Sequence, residues 1–148
     1  QPVEVWLIGE GSRRGEFEKL IEQLDLGDCV RLLGSRRDVP KLLSQCDLFV
    51  FQALRDEGFG IALAEAMAAR LPIVATNVGA CREVLDAGSC GLLVSEQDPI
   101  AMASGILEVL RDQKGSSERV HQAYERAVTA FSVPESSRAY GNALGVCE

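Results

Sequence analysis

Two glutamates on either side of a glycine turn carry the strongest chemical signal in this sequence. In DEGFGIALAEAMAAR, residues 56–70, Glu57 and Gly58-Phe59-Gly60 lead into an apolar run that reads as a helix beginning near Gly60. The amides of Gly58, Phe59, Gly60 and Ile61 belong to its first turn, where no carbonyl within the helix can accept from them. Aligned peptide dipoles add roughly half a positive charge there, which suits a phosphate. Glycine at 58 and 60 lets a ligand approach the backbone without meeting a side chain. A glycine loop shaped only for packing is the plain alternative.

Glu65 is the one polar residue between Ile61 and Ala69, so the composition predicts a helix that is apolar all round and buried. A carboxylate in such a place needs hydrogen-bond donors. Its neighbours at helical spacing are Ile61, Ala62, Ala68 and Ala69, none of them a cation. A ribose diol would satisfy it, as acidic residues hold ribose in other doubly wound folds. A tertiary pairing with one of the chain's arginines would do so equally. Glu57 can favour the positive end of the helix or touch a ligand lying against it. Spacing alone decides nothing, because Glu10 and Glu18 repeat it; the glycine turn makes the difference.

The elements that must position these residues follow from periodicity and turn residues. Strands are expected at 3–8, 30–33, 48–51, 73–75 and 92–94, each a short apolar or β-branched run closed by a turn. Helices are expected from Glu16 to Gly27-Asp28, then at 39–46, 61–69, 82–87 and 100–110, and near 117–131 and 135–144. Asp98-Pro99 places a cap and a first-turn proline at the start of the fifth of these helices. Alternation of this kind predicts a single α/β domain over 1–148, a Rossmann-like parallel sheet with helices on both faces. Ligands of such sheets bind beyond the carboxyl ends of the strands, where the glycine turn falls.

Composition narrows the class. The chain has 148 residues, 47% hydrophobic and 25% charged, which suits a folded domain. A net charge of −7 argues against a nucleic-acid binder or an electrostatic membrane module, though not against a local pocket for a small anion. No apolar run approaches the roughly 20 residues of a spanning helix, and no leader is expected from Gln1. Cys29, Cys46, Cys81, Cys90 and Cys147 form no C-x-x-C pair, so reduced, partly buried thiols in the cytoplasm are expected rather than disulfides or structural zinc.

EGFGIALAEAMA after an apolar strand, then PIVATNVG, REVLDAG, GLLV and an Asp-Pro helix start, resembles the retaining glycosyltransferases of family 4. LIGEGSRR, VRLLGSRRDVPKLL and CDLFVF extend the likeness from Val3 to Leu110. The resemblance implies the donor-binding C-terminal half of a two-domain GT-B enzyme, with an acceptor held through an N-terminal domain. It implies a nucleotide-diphosphate sugar as donor, a hexose transferred with retained configuration, and no other cofactor. On this basis Glu57 is the catalytic-site candidate, facing the donor sugar, with the amides of Gly58, Phe59 and Gly60 on sugar and diphosphate, and Ile61 beside them. Glu65 would hold the ribose, and Leu33, Gly34, Arg37 and Val39 would border the base. No Asp-x-Asp triplet is present, so metal-independent transfer is expected, and no second carboxylate is placed for double displacement.

The chain departs from the family at Gln52-Ala53, where Pro-Ser is common, and at Gly79-Ala80, where two glycines are common. It also opens at what resembles the family's second strand, so the first strand-helix unit is expected to be absent. In the order 3-2-1-4-5-6 that strand is central, which predicts a rearranged sheet or self-association through an exposed edge, and an inactive segment when alone. Gly9-Glu10-Gly11 with Gly15 misses a dinucleotide fingerprint by one residue, and no acid ends the second strand. Among Arg13, Arg14, Arg36 and Arg37, the last is best placed for a ligand. His121 lies far from the motif in a polar helix, and Arg82 and Glu83 read as anchors of their own helix. A tail carrying Tyr140 and Leu144 could return to the first domain or cover its own sheet. Other classes left open are a non-catalytic interaction module with this fold and a nucleotide-sugar epimerase.

Overall fold

Alternating apolar strands and amphipathic helices produce the Rossmann-like α/β architecture expected, with every strand pairing parallel. The structure, a computed structural model, describes residues 3–55 and 57–144. Asp56 and Cys147, and the side chains of Tyr140 and Leu144, lie outside the described residues. Two compact units are distinguished, Gln1–Val39 and Pro40–Glu148.

In the first unit, β1 (Val5–Ile8) and β2 (Val30–Gly34) pair in parallel, with Val5 opposite Val30 and Leu7 opposite Leu32. A register shift between Leu7 and Ile8 brings Ile8 opposite Gly34. The connecting helix α1 (Arg14–Gln23) stops before the expected Gly27-Asp28. Asp25 takes a left-handed φ of 53°, and the amide of Leu26 reaches back to the carbonyl of Ile21 at 2.9 Å. That is a Schellman-type ending, formed on Asp instead of the glycine that the sequence offered two residues on.

In the second unit, the short helix α2 (Val39–Leu43), which begins on the last residue of the first, leads to the edge strand β3 (Phe49–Phe51). β4 (Ile73–Thr76) is central and buried at every position, and β5 (Leu92–Val94) closes the order β3-β4-β5. Between the strands stand α3 (Ile61–Ala68) and α4 (Gly79–Val84), the latter followed by a 3-10 turn, Asp86–Gly88. α4 starts three residues earlier than the periodicity suggests, because extended Val78 caps it and accepts from the Arg82 amide at 2.9 Å. It ends earlier too, since Asp86 and Ala87 turn to positive φ.

α5 (Pro99–Arg111) begins as Asp98-Pro99 implies, with the Asp98 carboxylate accepting from the amides of Ile100 (3.0 Å) and Ala101 (2.9 Å). Gly105 lets this helix lie close to the sheet, because a Cβ there would stand 2.8 Å from Val94 Cγ1. Two further helices follow, α6 (Gln113–Ala130) and α7 (Val133–Leu144). Buried Ala66 on α3 and Ala123 and Ala127 on α6 belong to one core cluster with Leu63, Met67 and Cys81, small residues that allow helices to approach closely.

The strands thus form a two-stranded sheet, β1-β2, in the first unit and a three-stranded sheet, β3-β4-β5, in the second. In the doubly wound order the first pair corresponds to the neighbours 3-2 and the second sheet to 4-5-6.

Candidate functional site

The glycine turn lies at the carboxyl end of β3 and opens α3. Gly60 is the helix N-cap and adopts the left-handed conformation, φ 75° and ψ 61°. It is buried, and a Cβ on it would meet the Phe51 ring at 3.2 Å and Leu63 Cδ1 at 3.3 Å. Its glycine is therefore demanded from inside the protein, which corrects the expectation of an open approach at this position. Gly58 fits that expectation: it is exposed, and nothing lies within 4 Å of a Cβ built there. Among the described residues nothing accepts from the amides of Gly58, Phe59, Gly60 or Ile61.

Glu57 is exposed, its amide donating to the Leu54 carbonyl at 3.1 Å. Its charge reaches the buried thiol of Cys81. Burial pushes that thiol up most, the Thr76 hydroxyl bond works against it, and Glu57 adds a smaller rise. Phe59 is 41% exposed and meets Phe131 edge to face, centroids 5.1 Å apart.

Glu65 does not sit where its composition implied. α3 buries Leu63, Ala66 and Met67, while Ile61, Glu65 and Ala68 line the opposite, solvent-facing stripe at i, i+4 and i+7 spacing. The helix is apolar nearly all round yet only half of it is covered, and Ile61 remains 71% exposed. The carboxylate is exposed and needs no internal donor, so burial gives no argument for a ribose. Among the described residues it has no ion-pair or hydrogen-bond partner, which also removes the arginine alternative. Glu65 is available, not strained.

The first unit carries the other candidates. Leu33 and Gly34 end β2, and Gly34 takes φ 67° with its carbonyl accepting from the Gly9 amide at 2.9 Å. Val39 begins α2. Arg13 pairs with Glu16, Arg14 with Glu18 and Glu10, and Arg36 doubly with Asp38 at 2.8 and 2.7 Å. Arg37 is exposed and, unlike the other three, has no acidic partner among the described residues.

Two features escaped the sequence. Buried Thr76, one residue past the expected strand end, donates its hydroxyl to the Ala53 carbonyl and accepts from the Ala53 amide, both at 2.9 Å. A hydroxyl closing an apolar strand was the available signal. Arg55 and Glu96 then join the loops after β3 and β5, with Nε at 2.7 Å. Beside them a cavity of about 230 Å³ opens past the strands' carboxyl ends, lined by Gln52, Thr76, Ser95, Gln97, Asp98 and Met102. Among the described residues no three His, Cys, Asp or Glu side chains converge as metal ligands, and no helix is long and apolar enough to cross a membrane.

Parallel strands, with a glycine-capped helix opening at their carboxyl end and amides at its tip that have no acceptor among the described residues, give the arrangement common to Rossmann-like α/β folds. The family model for glycosyl transferases group 1 matches residues 1–127, and the chain belongs to that family. It is 35% identical over 141 residues to phosphatidyl-myo-inositol mannosyltransferase of Mycolicibacterium smegmatis, covering 88% of this chain and 35% of that protein. It is 32% identical over 125 residues to N-acetyl-alpha-D-glucosaminyl L-malate synthase of Bacillus anthracis, covering 84% and 32%. Among solved structures, Anabaena Alr3699/HepE in complex with UDP-glucose superposes with a TM-score of 0.89 at 27% identity, over 98% of this chain and 41% of that one. The chain spans about a third of the length of these curated relatives.

Proposed function

We propose that this chain is the donor-binding half of a retaining, family-4 glycosyltransferase that moves a hexose from a nucleotide-diphosphate sugar to an acceptor hydroxyl. The observation that carries this reading is the free amide tip at Gly58–Ile61 beside exposed Glu57. The solved relative's complex with UDP-glucose supports a donor of this kind, and the acceptor is assigned to the N-terminal domain of a longer protein. Self-association through the edge of β3, which has no second ladder partner among the described residues, belongs to the same reading.

In the proposed reaction the bond from the sugar's anomeric carbon to the diphosphate breaks, and the departing diphosphate gathers negative charge. Amides held at a helix tip stabilise that charge without reorganising. The acceptor oxygen bonds to the anomeric carbon from the same face, and its proton passes to the leaving phosphate. No divalent metal or other cofactor is needed. Glu57 accepts from hydroxyls of the sugar, and solvent-facing Glu65 accepts from the ribose diol. Leu33, Gly34, Arg37 and Val39 are assigned to the base.

Titration of the complete protein with UDP-, GDP- and ADP-sugars, in buffer freed of divalent metal by a chelator, tests this. One donor is expected to bind, Glu65→Ala to weaken the free nucleotide about tenfold, and Glu57→Gln to slow turnover while leaving nucleotide affinity within about twofold. Equal nucleotide binding by native protein and Glu65→Ala overturns the ribose assignment. The segment alone is expected to bind weakly and not turn over.

A further inference from the structure

The glycine turn contains a single side chain able to anchor it. Gly58 and Gly60 add nothing beyond Cα, so outside Gly60's own packing the turn depends on Phe59. Phe59 is held by Phe131, rings crossed at 79° with centroids 5.1 Å apart. Phe131 occupies the break between α6 and α7, its amide closing the last turn of α6 on the Ala127 carbonyl at 3.1 Å. Arg126, one turn earlier, lies over the other aromatic partner: its guanidinium carbon is 5.3 Å from the Phe131 centroid. The same guanidinium donates to the last carbonyls of α4, Val84 O at 3.0 Å and Glu83 O at 2.9 Å. A continuous series of contacts therefore runs from the turn through Phe59, Phe131 and Arg126 to the end of α4.

We infer that Phe131 is a positioning residue: through Phe59 it holds the amides of Gly58 and Gly60 in the orientation that receives the donor's diphosphate. This rests on the donor reading above. Two flanking glycines would otherwise leave the turn with many accessible conformations, each misaiming the amides. An edge-to-face pair is worth a population shift of roughly two- to tenfold. Because Phe131 sits at the α6–α7 break, the orientation of the turn is also tied to where α7 departs.

Phe131→Leu keeps apolar bulk and removes the ring, and Phe131→Tyr keeps the ring. In the complete, ligand-free protein, amide order parameters of Gly58 and Phe59 are expected to fall below about 0.6 in Phe131→Leu, to return in Phe131→Tyr, and to stay near 0.85 through β4 in both. Unchanged order at Gly58, or loss of order throughout β4 as well, overturns the brace. The second readout uses UDP-glucose and UDP: Phe131→Leu is expected to weaken UDP-glucose two- to tenfold more than Phe131→Tyr does, with kcat falling further than KM rises. Equal kinetics of the two variants overturns the assignment to the donor. If native protein binds none of the UDP-, GDP- and ADP-sugars, the donor reading fails, and the order parameters still decide the brace by themselves.

Discussion

The hydroxyl of Thr76 and the backbone of Ala53 hold each other twice, once as donor and once as acceptor, each at 2.9 Å. Both residues are buried, at 1% and 4% exposure, so water cannot replace either bond. The pair fixes where the chain leaves β3, and with it the start of the loop that ends in the glycine turn.

Thr76→Val keeps the shape and deletes both bonds, leaving the Ala53 amide and carbonyl buried without partners. The expected loss is about 1–3 kcal/mol of unfolding free energy, read from urea denaturation. Thr76→Ser retains the hydroxyl and is expected to lose less.

Gly60→Ala forces a Cβ into a left-handed backbone, 3.2 Å from the Phe51 ring. A cost of about 1–3 kcal/mol is expected. Gly58→Ala meets nothing within 4 Å and is expected to change stability by less than about 0.5 kcal/mol. If the donor approaches the backbone there, the second variant still weakens its binding; thermal melts and donor titrations separate the two effects.

Arg55 holds the Glu96 carboxyl below the usual carboxylate range, chiefly by its hydrogen bond and then by its charge. A carboxylate with a lowered folded pKa stabilises the fold fully above its unfolded pKa and loses that contribution as pH falls through the folded value. The tie between the two loops is therefore complete at neutral pH and opens only in acid, below the ordinary range. A carbon-13 titration of Glu96 is expected to show a midpoint that moves upward in Arg55→Gln. An unmoved midpoint would contradict the assignment.

Burial pushes the thiols of Cys81 and Cys90 up, making thiolate scarce at neutral pH, and both side chains are covered. Labelling with a disulfide reagent is expected to be at least roughly 100-fold slower at these two positions than in urea-unfolded protein. Mass spectrometry of the labelled peptides reads this directly.

By itself the sequence determined the alternation of strands and helices, the Asp98-Pro99 start of α5, and a glycine turn with free amides at a helix tip. These follow from local backbone preferences and periodicity, which a residue carries wherever the chain places it. The alanine-rich run around Glu65 shows where such reading ends. Periodicity reports a helix but, when nearly every position is apolar, gives no stripe to mark the covered face. Packing chose Leu63, Ala66 and Met67 for the interior and left Ile61 and Glu65 to water. The grip of Thr76 on Ala53 spans 23 residues and that of Arg55 on Glu96 spans 41, and the rings of Phe59 and Phe131 meet only because α6 ends beside the turn. Such partners come together through the geometry of the folded chain, which no short window of sequence contains.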